Sequence, residues 1–107
     1  MSDRRNEDGK YERDAGADNS PQLDEPKMYR VILHNDHYTT MDFVVAVLMK
    51  IFQKSAAEAT KIMLDVHKKG KGVCGVYIYD VAATKVAEVA NMAKEAEFPL
   101  KCSHEEA

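Results

Sequence analysis

The stretch HNDHYTTMDF, His34 to Phe43, sets Asn35, Asp36 and His37 directly ahead of Met41. Further along, Met63, Val66 and His67 recur about one helical turn from each other. Hydrogen-bond acceptors next to small and flexible apolar side chains suit a ligand with a charged head and a greasy body. Singly, each residue has a plainer explanation. Asn35 and Asp36 are turn formers, Met41 and Met63 are core fillers, and His67 complements a helix dipole. A strand end and a neighbouring helix could bring all of them to one rim, and the combination argues for a site. Nothing else resembles a reaction centre, because the chain has no G-x-S-x-G, no glycine-rich phosphate loop and no Cys-x-x-Cys pair. His34 and His37 with Asp36 do not have the fixed convergence that a metal needs. Cys74 with His67 lacks a third, orienting group.

Such a rim needs elements to hold it. MYRVILH, residues 28–34, is β-branched and apolar and reads as a strand. Thr39 with Asp42 is an acidic capping box that starts a helix near Thr40. Phe43, Val44, Val47, Leu48, Ile51 and Phe52 follow at helical spacing. Ser55 and Glu58 form a second capping box; the helix they open carries Ala59, Ile62, Met63 and Val66, and Gly70 and Gly72 end it. Val73 to Tyr79 reads as a strand. Asp80 is the expected N-cap of a third helix, which Pro99 stops, and Leu100 to Ser103 is a short last strand. The order β-α-α-β-α-β predicts an α+β fold, with a small three-stranded antiparallel sheet packed against three helices.

The chain has 107 residues, enough for one small domain. Residues 1–26 contain no Val, Ile, Phe or Trp and hold eight acids against four basic residues. They are expected to be a disordered acidic tail, leaving residues 27–107 as the domain. From Lys27 onward eleven Lys and Arg meet ten Asp and Glu, so the net charge of −3 belongs to the tail. The one basic cluster, Lys68, Lys69 and Lys71, reads as a solvated helix end and gives no nucleic-acid face. Cys74 and Cys102 are expected as buried free thiols. The N-terminus has no apolar targeting core, and the apolar run Phe43 to Met49 is too short to cross a bilayer. These features predict a cytoplasmic protein that binds neither membrane nor nucleic acid.

At this point the chain resembles the ClpS family, bacterial adaptors of the N-end rule. The shared motifs are N-D-x-Y-T-x-M at Asn35 to Met41, M-x-x-V-H at Met63 to His67 and G-x-x-x-C-G-V at Gly70 to Val76. V-A-x-T-K at Val81 to Lys85 and F-P-L-x-C at Phe98 to Cys102 complete the set. The likeness covers residues 27 to about 104. It implies an adaptor that is not an enzyme and needs no cofactor or metal. Such an adaptor binds the free N-terminus of substrates beginning with Leu, Phe, Tyr or Trp and delivers them to the AAA+ unfoldase ClpA, which feeds ClpP. By position, Asn35, Asp36, His37 and His67 would bind the substrate α-amine. Thr39, Met41, Val44, Met63, Val66 and Leu100 would line the side-chain pocket, with Met41 as the gate against β-branched first residues. Asp80 and Lys85 would dock on the unfoldase N-domain. Two positions differ from the common family pattern: His37 stands where Asp is frequent, and Thr40 where Pro is frequent. Weaker or narrower preference among first residues is the expected consequence.

The physical chemistry fits such a ligand. Hydrogen bonds to a charged amine are worth about 1.5–3 kcal/mol each, and burying a Leu or Phe side chain about 1.5–3 kcal/mol. Set against the cost of association, they imply roughly micromolar binding. Two other readings stay open on the residues alone. One is an interaction module with a ribosomal-stalk-like α+β fold and no amine pocket. The other is a small metal-dependent enzyme using His34, His37 and His67.

Overall fold

The computed structural model describes residues 25–107. The expected disordered tail, residues 1–26, lies outside the described residues apart from Glu25 and Pro26. Six elements follow in chain order. They are β1 (Met28–His34), α1 (Met41–Ile51), α2 (Ala56–Lys69), β2 (Lys71–Ile78), α3 (Tyr79–Ala96) and β3 (Lys101–Glu106). The sheet is antiparallel, in the order β2-β1-β3, with β1 at its centre. The fold is the expected α+β arrangement of three strands and three helices.

Alternation along β1 sends Val31 and Leu33 into the core, both fully buried. Ile32 points to the other face, across from Val73 and Ser103. The β1–β2 register shifts between Val31 and Ile32, and Cys74 is the extra residue of that bulge. Helical spacing brings Val44, Val47, Leu48 and Ile51 of α1 to the same core, with Ala59 and Val66 of α2 and Ala82, Val89 and Ala93 of α3.

The local signals at helix ends divide. Ser55 and Glu58 form the full reciprocal box, with bonds of 3.1 and 2.9 Å. Gly70 ends α2 in the left-handed conformation at φ 91°. Thr39, however, is not the cap of α1. Thr40 is, accepting from the Phe43 N–H at 3.1 Å, because the Thr39 hydroxyl is taken by Asp36. Asp80 is not the cap of α3 either. The helix starts two residues earlier than that cap would set it, at Tyr79 after an extended Ile78, and Asp80 lies in its first turn, where a carboxylate still favours the dipole. Gly72 does not end a helix but sits in β2, and β3 runs to Glu106, beyond the expected Ser103. The end of α3 is a left-handed Glu97, two residues ahead of Pro99.

Lys85 of α3 is drawn inward. Its ammonium donates to the carbonyl of Ile51 at 2.6 Å, satisfying the open end of α1. It also lies 5.8 and 5.7 Å from the centroids of the Phe52 and Tyr77 rings.

Candidate functional site

A cleft of about 220 Å³ opens where β1 ends and α2 finishes. Its polar side is Asn35, Asp36, His37, Thr39 and His67; its apolar side is Met41, Val44, Met63 and Val66. Helical geometry supplies one wall, since positions 63, 66 and 67 stand one turn apart and share a face. Met41 and Val44, in the same relation at the start of α1, supply the other.

Two backbone hydrogen bonds join these walls. The Asn35 N–H donates to the carbonyl of Gly70 at 2.9 Å, and the Gly70 N–H donates to that of Val66 at 3.0 Å. The exit of β1 is thus tied to the last turn of α2, and Asn35 is held against the residues around His67. Gly72 lets that turn come close. A Cβ built there would lie 2.9 Å from Cγ2 of Val66 and 3.2 Å from the Ile62 carbonyl oxygen. Sequence reasoning missed this role. A glycine inside a strand does signal close approach by another backbone, but it does not say which one.

Asp36 organises the loop between the walls. Its Oδ1 accepts from the N–H groups of Tyr38 at 2.8 Å and Thr39 at 2.7 Å, and its Oδ2 from the Thr39 hydroxyl at 2.7 Å. Partial burial pushes this carboxyl up, but the hydrogen bonds from Thr39 and Tyr38 outweigh it and hold the group below its ordinary value. It is therefore an anion at neutral pH, and it fixes the turn that aims Asn35, His37 and Met41.

The remaining anticipated residues fall elsewhere. Leu100 is outside the lining of the cleft. It is 7 % exposed and belongs to the buried cluster that includes Val44 and Val66, because its position between α3 and β3 turns it into the core. Asp80 is exposed at the start of α3, and Lys85 is half-buried in the contacts described above. A larger groove of about 410 Å³ between α1 and α3 is lined largely by charged and amide groups such as Lys50, Gln53, Glu88 and Glu95. It does not combine acceptors with an apolar wall as the smaller cleft does.

The competing chemistries find little support. Burial pushes the Cys74 thiol up to about 12, with Cys102 adding to the effect, so Cys74 is protonated and a poor nucleophile. Among the described residues no three His, Cys, Asp or Glu side chains are grouped to hold a metal ion. No helix there is long and apolar enough to cross a membrane.

A charged acceptor rim over an apolar slot is one part of the identification, and comparison with known proteins is the other. Residues 24–103 match the family model described as the ATP-dependent Clp protease adaptor protein ClpS. The chain is 71 % identical over 82 residues to the ATP-dependent Clp protease adapter protein ClpS of Syntrophus aciditrophicus, covering 77 % of each chain. It is 68 % identical over 75 residues to the protein of the same name from Acetivibrio thermocellus, covering 70 % of this chain and 76 % of that one. Its fold is similar to the solved structure of Agrobacterium tumefaciens ClpS2 bound to L-phenylalaninamide, with a TM-score of 0.75 and 38 % identity. That match covers 78 % of this chain and all of the other. The motifs, the fold and these matches agree, and the chain belongs to the ClpS family of Clp protease adaptors.

Proposed function

We propose that the cleft binds the free α-amino group and the bulky hydrophobic first residue of substrate proteins, and that the adaptor hands them to the ClpA unfoldase for degradation by ClpP. The observation that carries this reading is the meeting of Asn35 and His67 with Met41, Met63 and Val66 in one cleft. A protonated amine has three donors. The Asn35 side-chain oxygen and a neutral His67 ring nitrogen offer two acceptors, and the Asp36 carboxylate adds negative charge close by. His37 stands at the mouth of the cleft as a further polar contact. L-Phenylalaninamide, the ligand of the similar ClpS2 structure, carries a free α-amine and a benzyl side chain, the two groups this cleft is suited to hold.

The slot is smaller than the roughly 300–1,000 Å³ of drug-sized ligand sites, which matches one side chain plus its amine. Two methionines let it adapt to Leu, Phe, Tyr or Trp. Met41 is 43 % exposed at the rim, and in this reading its side chain is the gate that excludes β-branched first residues. Leu100 supports this pocket from the core. Asp80, with Lys85 on the same helix, is the surface offered to the unfoldase N-domain. The protein performs no chemistry of its own in this role and needs neither metal nor cofactor.

The test is fluorescence anisotropy with a labelled peptide beginning with Phe or Leu, the same peptide N-acetylated, and one beginning with Val. Binding of the free Phe and Leu N-termini alone is expected. Equal binding of the acetylated peptide would remove the amine contacts from the reading.

A further inference from the structure

The ring of Tyr77 has no part in the reading above. Tyr77 lies across from Tyr29 in the β1–β2 register, and both pack against the buried core. Its ring leans back along β2 over Gly75. A Cβ built on Gly75 would lie 2.7 Å from Cζ and 2.8 Å from Cε2 of that ring. Any side chain at position 75 would therefore push the ring off this seat, and a glycine within a strand leaves room for it. Seated there, the ring is 6.4 Å from that of the buried Phe52, with the two planes 34° apart.

These two rings flank the half-buried Lys85. Its ammonium is 5.7 Å from the Tyr77 centroid and 5.8 Å from the Phe52 centroid. It donates to the Ile51 carbonyl at 2.6 Å and more weakly to the Gln53 side-chain oxygen at 3.4 Å. Among the described residues no carboxylate pairs with it. Its place is therefore fixed by one carbonyl, one amide and two aromatic faces. An unrestrained lysine samples many rotamers and loses that freedom when it is bound. Lys85 has given up much of it before any partner arrives. An ammonium carries three donors, so the Ile51 bond leaves capacity for an acceptor on a partner.

We infer that Tyr77, seated over Gly75, is a positioning residue for unfoldase docking, acting through Lys85. The inference rests on the reading that Asp80 and Lys85 face the unfoldase. Neither Tyr77 nor Gly75 touches the partner in this role. The ring holds the Lys85 ammonium against the end of α1, about one and a half turns along α3 from Asp80, so that both charges are presented at a fixed spacing. The ring face makes the contact and the hydroxyl takes no part in it, so phenylalanine serves as well as tyrosine.

The experiment titrates labelled full-length adaptor with intact ClpA and measures binding of a free Phe peptide on the same preparations. Tyr77→Phe should dock as tightly as the wild-type protein. Tyr77→Leu and Gly75→Ala should each weaken docking roughly threefold to tenfold, with peptide affinity held within about twofold. The Tyr77→Leu/Lys85→Met double variant should dock no more weakly than Lys85→Met alone, because the two changes remove one and the same placed charge. Wild-type docking by Tyr77→Leu, or additive losses in the double variant, would overturn the inference. Equal losses of docking and peptide affinity would also overturn it, since they would mark general loosening of the fold. If neither Asp80→Asn nor Lys85→Met alters docking, the docking surface itself is wrong and the inference falls with it. Should the Leu and Ala variants not fold, proton NMR of the wild-type protein decides. The Lys85 ε-methylene protons should be shifted upfield by the two rings, and shifts of an ordinary exposed lysine would overturn the placement.

Discussion

Replacing Gly72 by alanine tests whether the packing of α2 on β2 sets the binding geometry. The added Cβ would stand 2.9 Å from Cγ2 of Val66, about 0.6 Å inside an ordinary carbon contact of about 3.5 Å. The Val66 methyl has nowhere to retreat, since Val66 is 3 % exposed in the core. The second neighbour, the Ile62 carbonyl oxygen at 3.2 Å, is backbone and moves only with its helix. The last turns of α2 must therefore shift outward by about half an ångström, carrying Met63, Val66 and His67 away from Asn35. Overpacking of this kind costs about 1–3 kcal/mol of stability. A displacement of about 0.5 Å is already the tolerance of a preorganised site, so peptide affinity should fall roughly tenfold.

Urea denaturation and anisotropy on the same preparation measure both quantities. Gly70→Ala is the control. Gly70 has φ 91°, so a side chain there is strained at a cost of about 1–2 kcal/mol, yet its Cβ would meet nothing within 4 Å. It should lose comparable stability while keeping most of its affinity. If Gly72→Ala binds as tightly as the wild-type protein, the claim that this contact sets the site is wrong.

Three further outcomes follow from the same contacts. Asp36→Ala removes the acceptor of three hydrogen bonds and should loosen residues 36–39, seen as faster amide exchange at Tyr38 and Thr39. The folded carboxyl lies below its ordinary value of 3.8, so the stability it contributes is present above that pH and is lost as pH falls through the lower folded value. An Asp36 carboxyl signal titrating at or above 3.8 would contradict this. His34 has the opposite charge logic. Its folded pKa is lowered, so the fold sheds a proton the unfolded chain would keep, and stability declines as pH drops below 6.5 until the folded value is passed. Urea midpoints at about pH 8 and about pH 5 should differ less in His34→Gln than in the wild-type protein. Lys85→Met keeps the stem but removes the donor to the Ile51 carbonyl and the charge over Phe52 and Tyr77, and should cost about 1–2 kcal/mol in a urea melt. An unchanged midpoint would mean that the lysine is free to act by charge alone.

The sequence alone determined what depends on near neighbours. The span of β1 could be read from MYRVILH because β-branched residues prefer the pleat whatever lies next to it. The Ser55–Glu58 box and the left-handed Gly70 involve only a few consecutive residues, and they stand as read. The acceptor and methionine positions of the cleft were legible because loop 35–41 and the last turns of α2 are each short, locally determined pieces. Where two local signals compete, the sequence misleads. Thr39 and Thr40 both offer a hydroxyl to α1, and only the loop that closes on Asp36 decides that Thr39 is occupied and Thr40 caps.

Tertiary structure decided the rest, because it turns on residues far apart in the chain meeting in space. The bond from Asn35 to Gly70 closes the cleft only once β1 and β2 have paired. Gly72 reads as a helix terminator in one dimension and as the seat of α2 in three. Leu100 comes to lie in one buried cluster with Val44 and Val66 only through the turn between α3 and β3. Lys85 has the chemistry of a surface charge, but the open carbonyl at the end of α1 lies within its reach. Burial and hydrogen-bond partners are properties of a completed chain path, and residue type and spacing limit them without choosing among them.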